Sequence, residues 1–173
     1  MLLEPQWSTA FIGSYKSLLL ELAGSEDKNE RVLDALVRGR GKLIQDRSVV
    51  AESLTALRAR NIPVDEEAAE AIQTLRVARW VYLRDTRKHS IFIDPAAEMA
   101  YGVVGLTNRI KEIIGGSGAV IETGLFTYKQ RVVCDGLVSA VVWLGSNYRR
   151  SFNEQLSALR EAGAFSDCAL AKR

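Results

Sequence analysis

The segment Asn61-Ile62-Pro63-Val64-Asp65 is the clearest interruption in the sequence. Pro63 biases the residue before it away from helical backbone, and the Asp65 side chain can cap a helix that begins with two glutamates. Before this segment apolar residues recur with helical spacing, whereas runs rich in β-branched and aromatic residues follow it. The sequence therefore predicts a helical segment at 1–60 and an α+β segment at 61–173, joined in one continuous compact domain.

Three helices are predicted before residue 61. The first spans residues 8–23, where Phe11, Tyr15 and Leu18 form one apolar face. The second begins near Asp27 and is interrupted at 38–41 by Arg-Gly-Arg-Gly, because glycine is a poor helix former. The third is predicted at 42–60.

The second segment mixes helices with strand-like runs. A helix from Glu66 to at least Ala78 is predicted, and residues 80–83 and 91–93 then suggest a β-hairpin. A continuation of the helix through Leu83 remains an alternative. A further helix is predicted at 96–114, with Asp94 as its cap.

The last third of the chain contains two or three strand-like runs and a final helix. Residues 119–129 and 131–134 are predicted as strands that turn at Lys129-Gln130, and 137–144 is either a third strand or a buried helix. A capping pattern at Ser151 and Glu154 predicts a helix that ends before Gly163. The fold class is therefore α+β, with a helical N-terminal half packed on a small antiparallel sheet that carries two further helices.

Composition argues against several classes of protein. The 23 basic and 21 acidic residues give a net charge of only +2, so nucleic-acid binding is not favoured. The two cysteines lie far apart, and no Cys or His spacing suits a metal or cofactor. The longest apolar run has only eight residues, whereas a membrane-spanning helix needs about 20. The sequence thus predicts a soluble cytoplasmic protein without metal, cofactor or membrane segment.

Catalytic candidates are few. His89 is the only histidine, and together with Cys134 and Asp94 it could form a cysteine-dependent hydrolase site. No local nucleophile motif supports this, and an isolated cysteine is more often a small core residue. The favoured interpretation is therefore structural, with Cys134 as a packing residue.

One stretch is locally basic and contains aromatic residues, a combination that can contact phosphates and stack bases. A ligand-binding face is predicted there, made of Arg76, Arg79, Trp80, Arg84, Arg87 and Lys88. A second nucleic-acid hypothesis treats residues 96–114 as a helix-turn-helix followed by a β-hairpin. One amphipathic helix explains the same apolar spacing, so this hypothesis ranks lower.

The leading functional prediction is a small non-catalytic binding or interaction protein whose ligand is unknown. Its partner would be another protein or a second copy of the chain. The alternatives are the Cys134/His89 hydrolase and a DNA- or RNA-binding regulator that uses the basic arginine-rich face.

Overall fold

The computed structural model describes residues 1–24 and 30–171. The chain divides into two compact units, Pro5–Gln73 and a second that combines Met1–Glu4 with Thr74–Arg173. The boundary thus follows Gln73, twelve residues after Asn61. The expected start of the second helix near Asp27 lies outside the described residues.

The first unit is helical. It contains α1 at Pro5–Ala23, α2 at Val32–Gln45, α3 at Val49–Ala59 and α4 at Glu66–Gln73. Helix α1 packs against each of the other three, and Phe11, Leu18 and Leu19 are fully buried there. The first predicted helix is confirmed, with its start three residues earlier.

The predicted interruption at 38–41 is wrong, because α2 continues through it. A Cβ atom on Gly39 would lie 2.0 Å from the carbonyl oxygen of Leu19, so this glycine allows α1 and α2 to approach closely. The break comes later, where Asp46 Oδ1 accepts hydrogen bonds from the backbone and hydroxyl of Ser48. Helix α3 accordingly begins at Val49 and not at Lys42.

Helix α4 begins where the sequence predicts but is shorter. Asp65 caps it, since its Oδ1 accepts a hydrogen bond of 2.8 Å from the Ala68 backbone. The helix ends at Gln73, and Arg76 already begins a strand, so the predicted extension to Ala78 is wrong. The β-branched and aromatic residues after position 76 complete a buried strand, which outweighs their helical spacing.

The second unit is built on a closed barrel. Its strands are β1 (Arg76–Asp85), β2 (Ser90–Ile93), β3 (Ala100–Gly105), β4 (Ala119–Tyr128), β5 (Arg131–Cys134), β6 (Ala140–Trp143) and β7 (Phe165–Ser166). The pairing order is β1-β2-β3-β5-β4, and β4 also pairs with β1, which closes a ring of five strands. The pairs are antiparallel except for those of β3 with β5 and β7. The predicted α+β class is confirmed.

Both hairpins are confirmed: β1 pairs with β2, and β4 pairs with β5. The turn of the second lies at Lys129 and Gln130, whose φ angles are 51° and 53°. Residues 137–144 were predicted as either a strand or a buried helix. They contain a strand, although only residues 140–143 form it. It pairs with β4 on the edge opposite β1.

The predicted helix at 96–114 is wrong. Its first half forms β3, and only α5 (Ile110–Ile114) is helical. Strand β3 is buried along its whole length, and in such a strand the apolar run imitates a helix face. The helix-turn-helix hypothesis therefore lacks its first helix. Asp94 caps a turn instead, with Oδ1 accepting the amide of Glu98 at 2.9 Å.

The last helix, α6 (Ser146–Glu161), begins five residues before Ser151, so the predicted capping box lies inside it. The predicted end is confirmed, because Gly163 follows with a φ of +71°. Helix α6 packs on the outside of the barrel, where Leu156, Phe152 and Leu159 contact apolar side chains of the strands.

Successive side chains of the strands point to opposite faces of the sheet, so they form two separate apolar clusters. The barrel interior contains Trp80, Tyr82, Phe92, Tyr101, Val103, Ile121, Leu125, Val132 and Cys134, with Ile110 of α5. The outer cluster contains Val81, Leu83, Ile91, Ile93 and Ala100 beneath α6. Among the described residues, no helix is both long and apolar enough to cross a membrane.

Candidate functional site

Strand β6 is the exposed edge of the sheet. In the described part of the chain it pairs with β4 alone, in the register Val142 opposite Val120. The amide of Leu144 donates to the carbonyl of Gly118 at 2.9 Å, and because backbone groups alternate sides along a strand, residues 142 and 140 also face β4. The N–H and C=O groups of Val141 and Trp143 therefore point to the open edge.

The side chains of β6 are also exposed. The exposed fractions are 38% for Val141, 63% for Val142 and 50% for Trp143, whereas β2 and β3 are buried throughout. The indole of Trp143 rests on Gly116, where a Cβ atom would lie 2.7 Å from the ring. An apolar edge strand with unpaired backbone groups is the feature that soluble proteins usually protect.

The first turn of α6 follows β6 directly and is basic. It contains Tyr148, which is 67% exposed, followed by the exposed residues Arg149 and Arg150, and it has no acidic residue. Arg149 is held in place, since its Nε donates to the carbonyl of Leu144 at 3.0 Å. We call β6 together with Tyr148, Arg149 and Arg150 the edge surface.

The candidate hydrolase residues lie on different sides of the sheet. Cys134 is in the barrel interior, 1% exposed, with its Sγ 3.3 Å from the Thr123 hydroxyl. His89 precedes Ile91 and Ile93 on the outer side and rests on Gly102, where a Cβ atom would lie 2.7 Å from the imidazole. The structure therefore does not bring Cys134 and His89 together.

Asp94 does not complete a catalytic group either. Its side chain is 1% exposed, and Oδ1 accepts the backbone amides of Glu98 and Met99 at 2.9 and 3.4 Å. His89 has a different acidic neighbour, Asp167, at 4.0 Å. Burial lowers the pKa of His89 below its ordinary value, although the Asp167 carboxylate acts in the opposite direction.

The predicted basic face is divided between the interior and the exterior of the barrel. Trp80 is fully buried, and its indole donates to the carbonyl of Thr123 at 3.0 Å. Arg76 lies over the Trp80 ring at 4.7 Å, with Nη2 3.9 Å from Asp94. Nη1 of Arg76 is buried and has no hydrogen-bond partner among the described residues.

The other basic residues of that face are on the outside. Arg79 contacts Glu122 at 3.4 Å, and Arg84 donates to Asn153 of α6. Arg87 and Lys88 are exposed in the β1–β2 turn. The cationic groups of 76–88 therefore do not form one continuous face with an exposed aromatic ring.

Residues 1–24 and 30–171 contain no group of three or more His, Cys, Asp or Glu side chains arranged for a metal ion. A shallow open groove of about 470 Å³ follows α3, lined by small residues and Glu52. It contains no cluster of polar groups.

The edge surface was not predicted. The signal present in the sequence is Val141-Val142-Trp143 followed within seven residues by Tyr148 and two arginines. Aromatic and arginine residues are typical of interface centres. The order of residues does not show which strand lies at an edge, so exposure at β6 could be seen only in the structure.

The ring of five strands has the order of the OB barrel, a Greek-key barrel that often binds oligonucleotides or oligosaccharides on the face of its second and third strands. Here α6 packs against β1 and β3, over the outer cluster that also contains Ile91 and Ile93 of β2. The fold alone therefore does not assign a ligand. The chain matches no protein-family model, no curated protein and no solved structure.

Proposed function

We propose that this chain is a non-catalytic interaction protein that binds a partner protein by strand addition to β6. The supporting observation is the open edge, where the backbone N–H and C=O groups of Val141 and Trp143 point away from β4. An extended segment of a partner can pair with these groups and complete the ladder. Exposed Trp143 and Tyr148 would add the aromatic contacts that dominate binding energy at protein interfaces.

The separation of the reactive groups supports the non-catalytic part of this proposal. A nucleophilic cysteine needs solvent access and a nearby base or cation. Cys134 has neither access nor His89 within its cluster, because the two side chains lie on opposite sides of the sheet. The buried thiol contributes to packing of the barrel interior.

Random octapeptides displayed on phage and selected against the whole chain test strand addition. We expect the selected peptides to be rich in β-branched and aromatic residues, and to slow hydrogen exchange of the Val141 and Trp143 amides. Val141→Pro removes one outward N–H group and spares the ladder to β4, since proline is tolerated at an open edge. It should weaken peptide binding at least about tenfold, by loss of that hydrogen bond and its neighbours.

Val141→Thr is the matched control, because threonine keeps the backbone donor and favours strands. Its affinity should stay near that of the original chain. Equal binding by the proline and threonine variants would refute strand addition at β6. The far-ultraviolet circular dichroism of both variants checks that the barrel is intact.

Polyanion binding is a second candidate function, favoured by one observation. Tyr148, Arg149 and Arg150 are exposed side by side, so the edge surface offers both a stacking ring and cations. A fluorescent 15-nucleotide thymidine strand tests this at low and moderate salt. Binding that weakens as salt rises and is lost in Tyr148→Ala would support it, whereas no binding at low salt excludes it.

A further inference from the structure

From the geometry of β6 we infer that the partner segment is the same strand of a second copy of this chain. This inference rests on the proposed strand addition and specifies its occupant. The two copies would pair their β6 strands antiparallel about a two-fold axis, so that the same surface is used on both sides.

One register satisfies every open backbone group. When the axis passes beside Val142, Val141 of one copy lies opposite Trp143 of the other, and these are the residues whose N–H and C=O groups point outward. Each copy then donates two hydrogen bonds and accepts two across the axis. A shift by one residue would place inward-facing groups at the new pairing positions and lose these bonds.

The side chains fit the same register. The two Val142 residues meet across the axis in a non-hydrogen-bonded pair, where the Cα atoms are only about 4.5 Å apart. On the other face, Trp143 of each copy lies beside Val141 of its partner, an aromatic and β-branched pair of the kind that stabilises sheets. All three side chains are exposed in the single chain and would be covered in the dimer.

Charged side chains do not set this register. Gly118, Val120 and Glu122 alternate onto the outer side of β4, and the Arg149 side chain lies over Gly118. Antiparallel pairing places Leu144 opposite Ala140 of the partner, and Ala140 pairs with Glu122. Gly118, over which Arg149 lies, and the partner's Glu122 are then three strand spacings apart, roughly 14 Å. Within its own chain Glu122 already contacts Arg79 and accepts a hydrogen bond from the Ser139 hydroxyl. The register is therefore supported by the backbone groups and the apolar side chains.

The surface area buried between the two copies sets the expected affinity of the dimer. Stable complexes bury about 1,200–2,000 Å² in total, and two four-residue strands with their flanking side chains lie at or below the lower end of this range. We therefore expect a dimer that exchanges with monomer. Sedimentation of the whole chain between about 10 and 500 µM should show the mass rising from 19.1 kDa toward twice that value, and Val141→Pro should remain a monomer.

Disulfide crosslinking tests the register. In a Cys168→Ser background, which removes the exposed thiol, Val142→Cys should form a disulfide-linked dimer because the two Cα atoms are within bonding range. Val141→Cys is the matched control, since its two copies would be roughly 8 Å apart and too distant to bridge. Crosslinking through position 141 and not 142 would overturn this register.

The outcomes separate this inference from the proposal it rests on. A chain that stays at 19.1 kDa up to the highest concentration, yet binds selected peptides with protection of Val141 and Trp143, refutes the second copy and leaves strand addition standing. A monomer that also binds no peptide refutes both. A dimer that persists in Val141→Pro shows that the copies associate elsewhere, which refutes the β6 pairing.

Discussion

His89 shows how the surroundings of a single residue set its chemistry. It is the only histidine in the sequence, and it lies on the outer side of the barrel near Asp167, Lys88 and Arg131. Burial is the largest influence and lowers its pKa, the two cations and the chain's amino group act in the same direction, and Asp167 opposes them. The neutral imidazole is therefore favoured in the folded chain.

This arrangement predicts a pH dependence of stability. As pH falls below about 6.5, the unfolded chain binds a proton at His89 before the folded chain does, so the free energy of unfolding decreases. Urea unfolding at pH 7.5 and 5.5 should show a larger loss of stability for the original chain than for His89→Gln. Equal losses would mean that the histidine is not shifted.

The imidazole signal gives a direct second readout. A proton NMR titration should place the His89 midpoint below 6.5, and Asp167→Asn should lower it further because it removes the opposing carboxylate. Lys88→Gln should move the midpoint in the other direction. A midpoint that rises in Asp167→Asn would contradict the assigned environment.

At the scale of elements, α2 contains two glycines with opposite roles. A methyl group on Gly39 would meet the Leu19 carbonyl at 2.0 Å, whereas Gly41 has no atom within 4 Å of the same position. Gly39→Ala should therefore force α1 and α2 apart and destabilise the helical unit by about 1–3 kcal/mol. Gly41→Ala should stabilise it by up to about 1 kcal/mol, because alanine is the better helix former.

Thermal unfolding followed by circular dichroism at 222 nm measures both variants. The pair is matched in chemistry and in position along one helix, so propensity alone predicts stabilisation in both. Equal stabilisation by the two alanines would show that α2 does not approach α1 at Gly39.

Helix α2 also shows why part of the fold could not be predicted from the sequence. Residues 38–41 suggested a break because propensity counts glycine as unfavourable, but the gain from packing α2 against α1 exceeds that cost. Ala100–Gly105 suggested a helix because a strand buried on both faces has no alternation. The hairpins were predictable, since the polar run from Asp85 to Lys88 and the pair Lys129-Gln130 separate strand-like runs. The edge surface depends on which strands become neighbours, which is a long-range property.

At the scale of the whole molecule, the first four residues belong to the barrel unit although 69 residues of the helical unit follow them. Leu2 forms a parallel bridge with Gly105, the Leu3 amide donates to the Gly105 carbonyl at 2.8 Å, and Leu3 is only 4% exposed. The helical unit is therefore an insertion within the chain of the barrel unit.

Shortening the Leu3 side chain tests whether Met1–Glu4 belong to the barrel unit. Leu3→Ala should destabilise the barrel by about 2–3 kcal/mol through the lost burial. Hydrogen exchange should speed up in β3, while the amides of α1 to α4 are unaffected. Leu2→Ala is the control, since that side chain is 40% exposed and its loss should change little. Faster exchange in α1 to α4 and none in β3 would contradict the assignment of Met1–Glu4 to the barrel.

The bridge between Leu2 and Gly105 also affects the order in which the two units fold. During synthesis residues 1–4 leave the ribosome about a hundred residues before Gly105, to which Leu2 and Leu3 pair. Closing so long a loop is entropically unfavourable, and each halving of its effective length recovers about 0.6 kcal/mol. Helix α1 packs against α4, so folding of the helical unit shortens the loop before β3 exists. The helices can therefore form first, and the barrel can complete its pairing with residues 1–4 afterwards.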